Sequence, residues 1–372
     1  MYKVIYTGEL EKVAGKAVFG ATMKALLAED KDVVYLDADL MNSVGTGGLE
    51  TQFPDQAFDV GIQEANMAGL AGGLAAVGKK PYIHTFGCFA SRRMFDQVFI
   101  SIAYAQLNAR VIGSDPGVTA AYNGGTHMPF EDICLYRAIP NTTVIETTDA
   151  AMAGAILRQT KDRPGVTYIR LSRKNLPAVY EPGSTFEIGK GNVLRDGKDV
   201  AFIVAGLLVA EAMKAAEELE KEGISAAVID MFTIKPLDEA LTLEYAKKTG
   251  AIVTGENGKY RRRIRRGGRR VPEREPSDPG RPNRRSGPLR TGRRTEFPSG
   301  GIRPDCESPD RKREKSDRAE RVSGLSVKST TGASCSDRET DRKAIPLRPF
   351  LIHSRSRIWE KARRTGGYRW KT

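Results

Sequence analysis

The sequence predicts an α/β protein built on a mostly parallel sheet, followed by a basic tail that forms no core. Two observations predict this. Short apolar strand patterns alternate with helical ones through the first 258 residues, the alternation expected of a parallel sheet covered by helices. The composition then changes abruptly at "TGENGKYRRRIRRGGRR". The net charge of +13 averages two unlike segments: residues 1–258 carry 25 Lys+Arg against 32 Asp+Glu, net −7, whereas residues 259–372 carry 34 against 14, net +20. The first segment has the composition of a mildly acidic globular enzyme. The second is rich in Arg, Pro, Ser and Gly, with little apolar periodicity to bury a core.

Taken in order, "GKAVFGATMKALLAED" has helical spacing and "DVVYLDADL" is a short apolar strand ending in acids. In "DVGIQEANMAGLAGGLAAVGKK" every residue from Val60 to Gly78 is apolar, small or neutral except Glu64. That run reads as a buried helix packed closely through Gly69, Gly72 and Gly73. A lone carboxylate at its start is costly to bury unless something neutral or cationic meets it. "KPYIHTFGCF" is a strand entering a loop, "MFDQVFISIAYAQLN" a helix, and "ARVIGSDPG" a strand before the glycine-rich loop "AAYNGGTHMPFED". "TTVIETTD", "AAMAGAILRQTK" and "GVTYIRLSR" continue as strand, helix, strand. "NLPAVYEPGSTFEIGKGNVLRDGKD" is a Pro/Gly-rich connector with room for a hairpin. A second unit follows: "VAFIVAG" strand, "LLVAEAMKAAEELEKEG" helix, "ISAAVIDMFTIKP" strand, "LDEALTLEYAKKTG" helix and "AIVTGENG" strand, stopping unfinished at the composition break. The expected division is residues 1–180, 181–258 and a disordered 259–372.

Several classes are disfavoured. No apolar run approaches the roughly 18–20 residues of a membrane span, and "MYKVIYTGELEKVAGK" lacks the apolar core of a signal peptide. Cys88, Cys134, Cys306 and Cys335 show neither metal spacing nor a dense disulfide framework, so a reduced, cytoplasmic setting is expected. Without a secretory signal, the "NTT" at Asn141 is expected to be a chance match to a glycosylation acceptor. No Walker loop, dinucleotide fingerprint, zinc pattern or nucleophile elbow is present.

In parallel α/β sheets, ligands sit in the loops after the carboxyl ends of strands. Four such places stand out. "LDADLMNS" puts Asp39 and Ser43 after a strand; "QEANM" holds the isolated Glu64; "HTFGCF" places Phe86 and Phe89 three apart; and "YNGGTHMP" holds His127 in a glycine-rich turn. Alone they suggest a cleft with a carboxylate, two stacking aromatics and an imidazole, without naming a reaction.

Together, in this order and spacing, "LDADLMNS", "GIQEANMAGLAGGLA", "HTFGCFASRRMFDQV", "YNGGTHMPFEDICLYRAIPN", "YIRLSRKNLP" and "TGENG" resemble the C-terminal subunit of a split transketolase from about Lys12 to Gly258. The resemblance implies a thiamine pyrimidine-binding domain followed by a transketolase C-terminal domain, here truncated. It implies that Glu64 hydrogen-bonds the pyrimidine ring of thiamine diphosphate and favours its imino tautomer, and that Phe86 and Phe89 hold that ring. It also implies that His127 contacts the sugar near its reacting oxygens, and that Ser43 and Arg173 grip a substrate phosphate. Asn123 stands where the family commonly has an acid that reads substrate hydroxyls, Arg92 where a further aromatic is frequent, and Gly15 where an arginine often supports phosphate. These departures leave the stereochemical preference open and allow a sugar substrate other than the usual pentose phosphates, with the thiamine chemistry kept. His84 matches no family site and is read as structural.

The diphosphate- and magnesium-binding domain, with its GDG…N motif, is not in this sequence. The resemblance therefore implies an N-terminal partner subunit that carries it and holds Mg2+, in an α2β2 heterotetramer in which this subunit also pairs with its own copy. The implied activity is transfer of a two-carbon ketol unit from a ketose to an aldose. The alternatives are a piece of a 1-deoxyxylulose-phosphate synthase, a 2-oxoacid dehydrogenase beta subunit, or a non-catalytic basic-tailed nucleic-acid binder. For residues 259–372 the reading favours a frameshift product over a nucleic-acid arm, since the family continues after "ENG" with a glycine-rich turn and an apolar helix.

Overall fold

A computed structural model describes residues 1–258; the expectations for the tail fall outside the described residues. The chain runs through α1 (Gly15–Glu29), β1 (Val33–Asp37), the short helices α2 (Met41–Val44) and α3 (Leu49–Gln52), β2 (Ala57–Asp59), α4 (Glu64–Ala76) and β3 (Lys80–Phe86). Then come α5 (Gly87–Arg92), α6 (Phe95–Gln97), a π-helical stretch Val98–Tyr104, β4 (Ala109–Ser114), a 3-10 segment Gly117–Asn123, α7 (Asp132–Ala138), β5 (Thr143–Glu146), α8 (Ala150–Gln159) and β6 (Val166–Leu171). Past a connector lie β7 (Asn192–Arg195), β8 (Val200–Val204), α9 (Leu208–Lys221), β9 (Ala226–Asp230), β10 (Thr233–Lys235), α10 (Glu239–Thr249) and β11 (Ile252–Gly255).

These strands form a seven-stranded sheet, ordered β10-β5-β6-β4-β3-β1-β2, and a four-stranded sheet, ordered β11-β8-β9-β7. All pairings are parallel except β10 with β5 and β7 with β9. The interior strands are buried along their whole length, as in β1, β4 and β6. That is why they read as continuous apolar runs rather than alternating ones. Alternate residues nonetheless serve opposite layers. Val34, Leu36, Ile83, Val111 and Tyr168 pack with Met67 and Ile102 from α4 and the π-helical stretch. Val33, Tyr35, Tyr82, Ile112 and Ile169 pack with Phe19 and Met23 of α1 and Met152 and Ile156 of α8. The second cluster runs on through Tyr180, Phe186 and Phe232 to Phe202 and Val228 of the smaller sheet.

Local chemistry fixes the helix ends. Asp149 caps α8 by accepting from the Met152 N–H at 2.8 Å, and Asp238 caps α10 by accepting from the Leu241 N–H at 3.0 Å. Gly250 ends α10 at φ +65°.

Three sequence expectations differ from the structure. Of the three glycines expected to pack α4, only Gly72 does, against the Ser101 carbonyl; Gly69 and Gly73 have open space beside them. The connector forms no hairpin: β7 pairs instead with β9. "ISAAVIDMFTIKP" is two strands, and the second, β10, leaves the small sheet to pair antiparallel with β5 of the large one, with Thr233 opposite Ile145. Local apolar pattern cannot show such a crossing, because it marks a strand without saying which sheet the strand joins. Among the described residues, no helix is long and apolar enough to cross a membrane.

Candidate active site

The residues singled out in the sequence gather at the carboxyl edge of the seven-stranded sheet, because each follows a parallel strand. Ser43 follows β1, Glu64 follows β2, Phe86 ends β3 with Phe89 in the first turn of α5 that follows it, Asn123 and His127 follow β4, and Arg173 follows β6.

Glu64 is the first residue of α4 and is 1% exposed. The helix N-terminus favours its charge, but its main partner is a cation. Arg93, just past α5, donates from Nη1 to both carboxylate oxygens, at 2.9 and 2.8 Å. The Arg93 side chain is 45% exposed, and its guanidinium carbon lies 4.3 Å from the Phe89 ring centre. The acid, the cation and the aromatic face are therefore joined in one chain of direct contacts. The sequence does not reveal Arg93 as the group that meets Glu64. The "SRR" pair is visible there, but only the turn geometry of α5 shows which arginine faces inward.

Its neighbour Arg92 turns the other way, 3.1 Å from Glu131 and donating to the Thr126 carbonyl at 3.1 Å. His127 sits edge-on to both phenylalanines, with ring centres 5.6 Å from Phe86 and 5.3 Å from Phe89. The two phenylalanine rings are 6.3 Å apart and tilted 50°. His127 Nδ1 lies 2.9 Å from the Thr126 hydroxyl, which leaves Nε2 to serve a ligand.

Arg173 stacks on Phe86, its guanidinium carbon 4.6 Å from the ring centre. Buried Asp115, just past β4, fixes its plane: Arg173 Nε donates to Asp115 Oδ2 at 2.8 Å, and Nη2 donates to the same oxygen. Asp115 does not stand out in sequence because it lies in an ordinary "SDPG" turn. Phe86, Phe89, His127, Arg173 and Glu64 are thus joined by direct contacts or through Arg93. Ser43 and Asn123 are not drawn into that contact set. Ser43 lines a separate small recess with Asp39, Asn42 and Asp59, and Asn123 is exposed at the end of its 3-10 segment. Gly15 has a packing reason to be glycine, since a Cβ there would lie 2.0 Å from the Ser172 carbonyl oxygen.

Beneath the site run two buried polar systems. His84 places Nδ1 2.7 Å from Asp37 Oδ2 and Nε2 3.0 Å from the Ser114 hydroxyl, and the Tyr35 hydroxyl donates to the same Asp37 oxygen at 2.5 Å. All four residues are sealed from solvent, so this resembles a hydrolase triad in connectivity only, with no route for a substrate. Arg170, fully buried in β6, donates from Nε to Asp132 Oδ2 at 2.7 Å and from Nη1 to Glu146 Oε2 at 2.7 Å. Burial works against that guanidinium charge, but Asp132 and Glu146 outweigh it and hold its pKa above the ordinary value.

The carboxylate at a helix start, the tilted aromatic pair and the imidazole are groups suited to one edge and one face of a flat nitrogen heterocycle, the carboxylate oxygens being held meanwhile by Arg93. The residues present therefore fit the pyrimidine half of a thiamine cofactor.

Comparison with known proteins points the same way. The family model "Transketolase, pyrimidine binding domain" matches residues 11–179, and "Transketolase, C-terminal domain" matches residues 189–262. The chain is 48% identical over 229 residues to the 6-deoxy-6-sulfo-D-fructose transketolase subunit SqwH of Clostridium sp. (strain MSTE9), covering 62% of this chain and 71% of that one. It is 39% identical over 241 residues to a putative transketolase C-terminal section of Methanocaldococcus jannaschii, covering 64% and 75%. With an apulose-4-phosphate transketolase subunit of Phocaeicola vulgatus it shares 35% over 245 residues, covering 66% and 78%. Among solved structures, a split gene transketolase described as an inactive beta4 tetramer superposes with a TM-score of 0.64 at 38% identity, covering 69% of this chain and 82% of that one.

Proposed function

This chain belongs to the transketolase family, and from that premise we propose that it is the subunit supplying the pyrimidine half of a thiamine diphosphate site in a two-subunit ketol transferase. The observation that carries the reading is the buried Glu64, linked through Arg93 to the Phe89 face, with Phe86 and His127 in the same cluster. The partner would be an N-terminal transketolase subunit that holds the diphosphate and Mg2+, in a cytoplasmic α2β2 assembly.

When bound, thiamine diphosphate supplies a nucleophilic carbon and an electron sink for the two-carbon fragment. The roles of this chain are to bind, orient and move protons. Glu64, desolvated at the start of α4, meets the pyrimidine nitrogen and shares a proton with it. Phe86 and Phe89 present apolar faces to the ring. His127 offers Nε2 to the sugar oxygens at the reacting end. Arg173, its plane set by Asp115, meets an anionic terminus of the sugar with the guanidinium edge that Asp115 leaves open. Ser43 and Asn123 are the further substrate contacts proposed. Two relatives are named for sugars with anionic ends, a sulfonated fructose and apulose 4-phosphate. An anionic ketose and an aldose are accordingly the substrate pair we assign.

The test is reconstitution. The chain alone should neither bind thiamine diphosphate appreciably nor transfer a ketol unit, whereas the chain with a subunit containing GDG…N should do both. Turnover by the isolated chain would refute the partner requirement. A well-formed complex that binds no thiamine diphosphate would refute the cofactor reading.

A further inference from the structure

The "TGENG" motif contributes no residue to the site just described, yet its asparagine is placed against the loop that carries His127. Asn257 is buried although it lies two residues beyond β11. Its Oδ1 accepts from the Val118 N–H at 3.0 Å, and its Nδ2 donates to the Pro116 carbonyl at 2.7 Å. One carboxamide therefore bonds both main-chain groups flanking Gly117, sharing the Pro116 carbonyl with the Thr119 N–H and hydroxyl. The approach is so close that a Cβ on Gly117 would sit 2.0 Å from Asn257 Oδ1, and Gly117 itself has φ +51°; only glycine meets both conditions. The Asn257 carbonyl in turn accepts from Arg170 Nη2 at 3.0 Å, so the clamp is anchored in the buried ion network of β6.

The clamped peptide lies between two parts of the site. On one side is Asp115, which sets the Arg173 plane over Phe86. On the other, the 3-10 segment leads to Asn123 and the turn holding His127, whose N–H donates to the Gly124 carbonyl at 3.0 Å. Beyond the clamp the described ties of this loop are peripheral: Lys174 Nζ donates to the Thr119 carbonyl at 3.2 Å and lies 4.2 Å from the centre of the exposed Tyr122 ring, Arg92 donates to the Thr126 carbonyl at 3.1 Å, and Gly124 and Gly125 have open space around them. A loop of this kind takes its average position from its few fixed points.

We propose that Asn257 is a positioning residue for the 117–127 loop, so that the small-sheet unit sets where His127 stands relative to Phe86, Phe89 and Arg173. The catalytic consequence rests on the reading given under Proposed function, but the positional claim does not.

Hydrogen exchange on the full chain tests it. Asn257→Ala removes both side-chain bonds, while the near-isosteric Asn257→Asp keeps the packing and turns an oxygen toward the Pro116 carbonyl. Peptides spanning residues 116–127 should exchange on the order of ten-fold faster in Asn257→Asp and up to about a hundred-fold faster in Asn257→Ala, since each lost bond is worth about one factor of ten. Peptides from β8 and β9 should keep wild-type rates. In the complex with the partner subunit, kcat should fall while thiamine diphosphate affinity holds, because the clamp touches the His127 loop and not Glu64 or Phe89. Unchanged exchange at 116–127, an equal rise across the small sheet, or failure of both variants to fold would overturn the positioning role. Loss of ketol transfer in the wild-type complex would refute the functional reading and leave the exchange result standing.

Discussion

Replacing Arg93 by methionine keeps a long unbranched stem over Phe89 and deletes the charge that faces Glu64. The geometry gives the size of the effect. Nη1 sits 2.9 and 2.8 Å from the two carboxylate oxygens. Two unit charges about 4 Å apart at a protein edge attract by about 4 kcal/mol before desolvation and side-chain entropy are subtracted. Arg93 is half in water, so the net falls below the roughly 3–5 kcal/mol lost on breaking a fully buried pair. Glu64 is 1% exposed, so the net exceeds the ~0–1 kcal/mol of an exposed pair. The helix N-terminus returns about 0.3–1 kcal/mol to the orphaned carboxylate. Arg93→Met should therefore cost about 2 kcal/mol at pH 8, read as a shift in urea midpoint at constant m-value. In a Glu64→Gln background the same change should cost under about 0.5 kcal/mol, because no buried charge is left unpaired. Equal costs in the two backgrounds would refute the argument. The pair also competes with the cofactor for the same two oxygens. If it must open, Arg93→Met should tighten thiamine diphosphate binding in the partner complex by up to about thirty-fold, the equivalent of that ~2 kcal/mol. Weaker binding would mean that Arg93 stays in place beside the ring.

Two further outcomes are expected. Glu64→Gln should fold, since a neutral amide is easier to bury than a charge, and should slow exchange of the cofactor's thiazolium proton into deuterated water by about 10²–10⁴-fold; wild-type exchange in a well-folded complex would sink the assignment. Asp230 is sealed from solvent, and burial pushes its carboxyl up to about 7, so the folded chain holds this proton more tightly than the unfolded one. Its contribution to stability is full below about pH 4 and lost as pH rises to about 7, by up to about 4 kcal/mol at ~1.4 kcal/mol per pH unit. Asp230→Asn keeps an acceptor for the Thr148 and Tyr180 hydroxyls, and the difference between wild-type and variant urea midpoints should grow in the variant's favour across that range; a pH-independent difference would show that the carboxyl is not the cause.

The α/β class, the alternation of elements and the positions of Glu64, Phe86, Phe89 and His127 at or just past strand ends were legible because each rests on local pattern: a strand-length apolar run, then a chemically odd residue at its end. What sequence could not show was pairing across distance. Arg93 and Arg92 are adjacent and chemically identical, yet one faces Glu64 and the other Glu131, a choice made by the last turn of α5. Asp115, Asn257 and Arg170 act on residues far along the chain. Gly15 could be read only as a missing arginine until its approach to the Ser172 carbonyl was visible. Gly69 and Gly73 resembled packing glycines because small residues look alike whether a neighbour sits beside them or not.

The crossing of β10 has a consequence for how this chain can be divided. Residues 1–180 look self-sufficient in sequence, with their own helices and six strands. Their sheet nevertheless ends at β5, whose outer side is closed by a three-residue strand from the following unit, and the Glu146 N–H is satisfied by the Phe232 carbonyl at 2.9 Å. A polypeptide stopped in the connector would display that side of β5 bare, an apolar strip of unmet amides and carbonyls ready to recruit any extended chain. Fragments made by cutting there are thus expected to stick to one another rather than to fold as monomers. A gene could lose material after β11, or be broken ahead of α1, and still leave this sheet closed; a break between β6 and β10 would not.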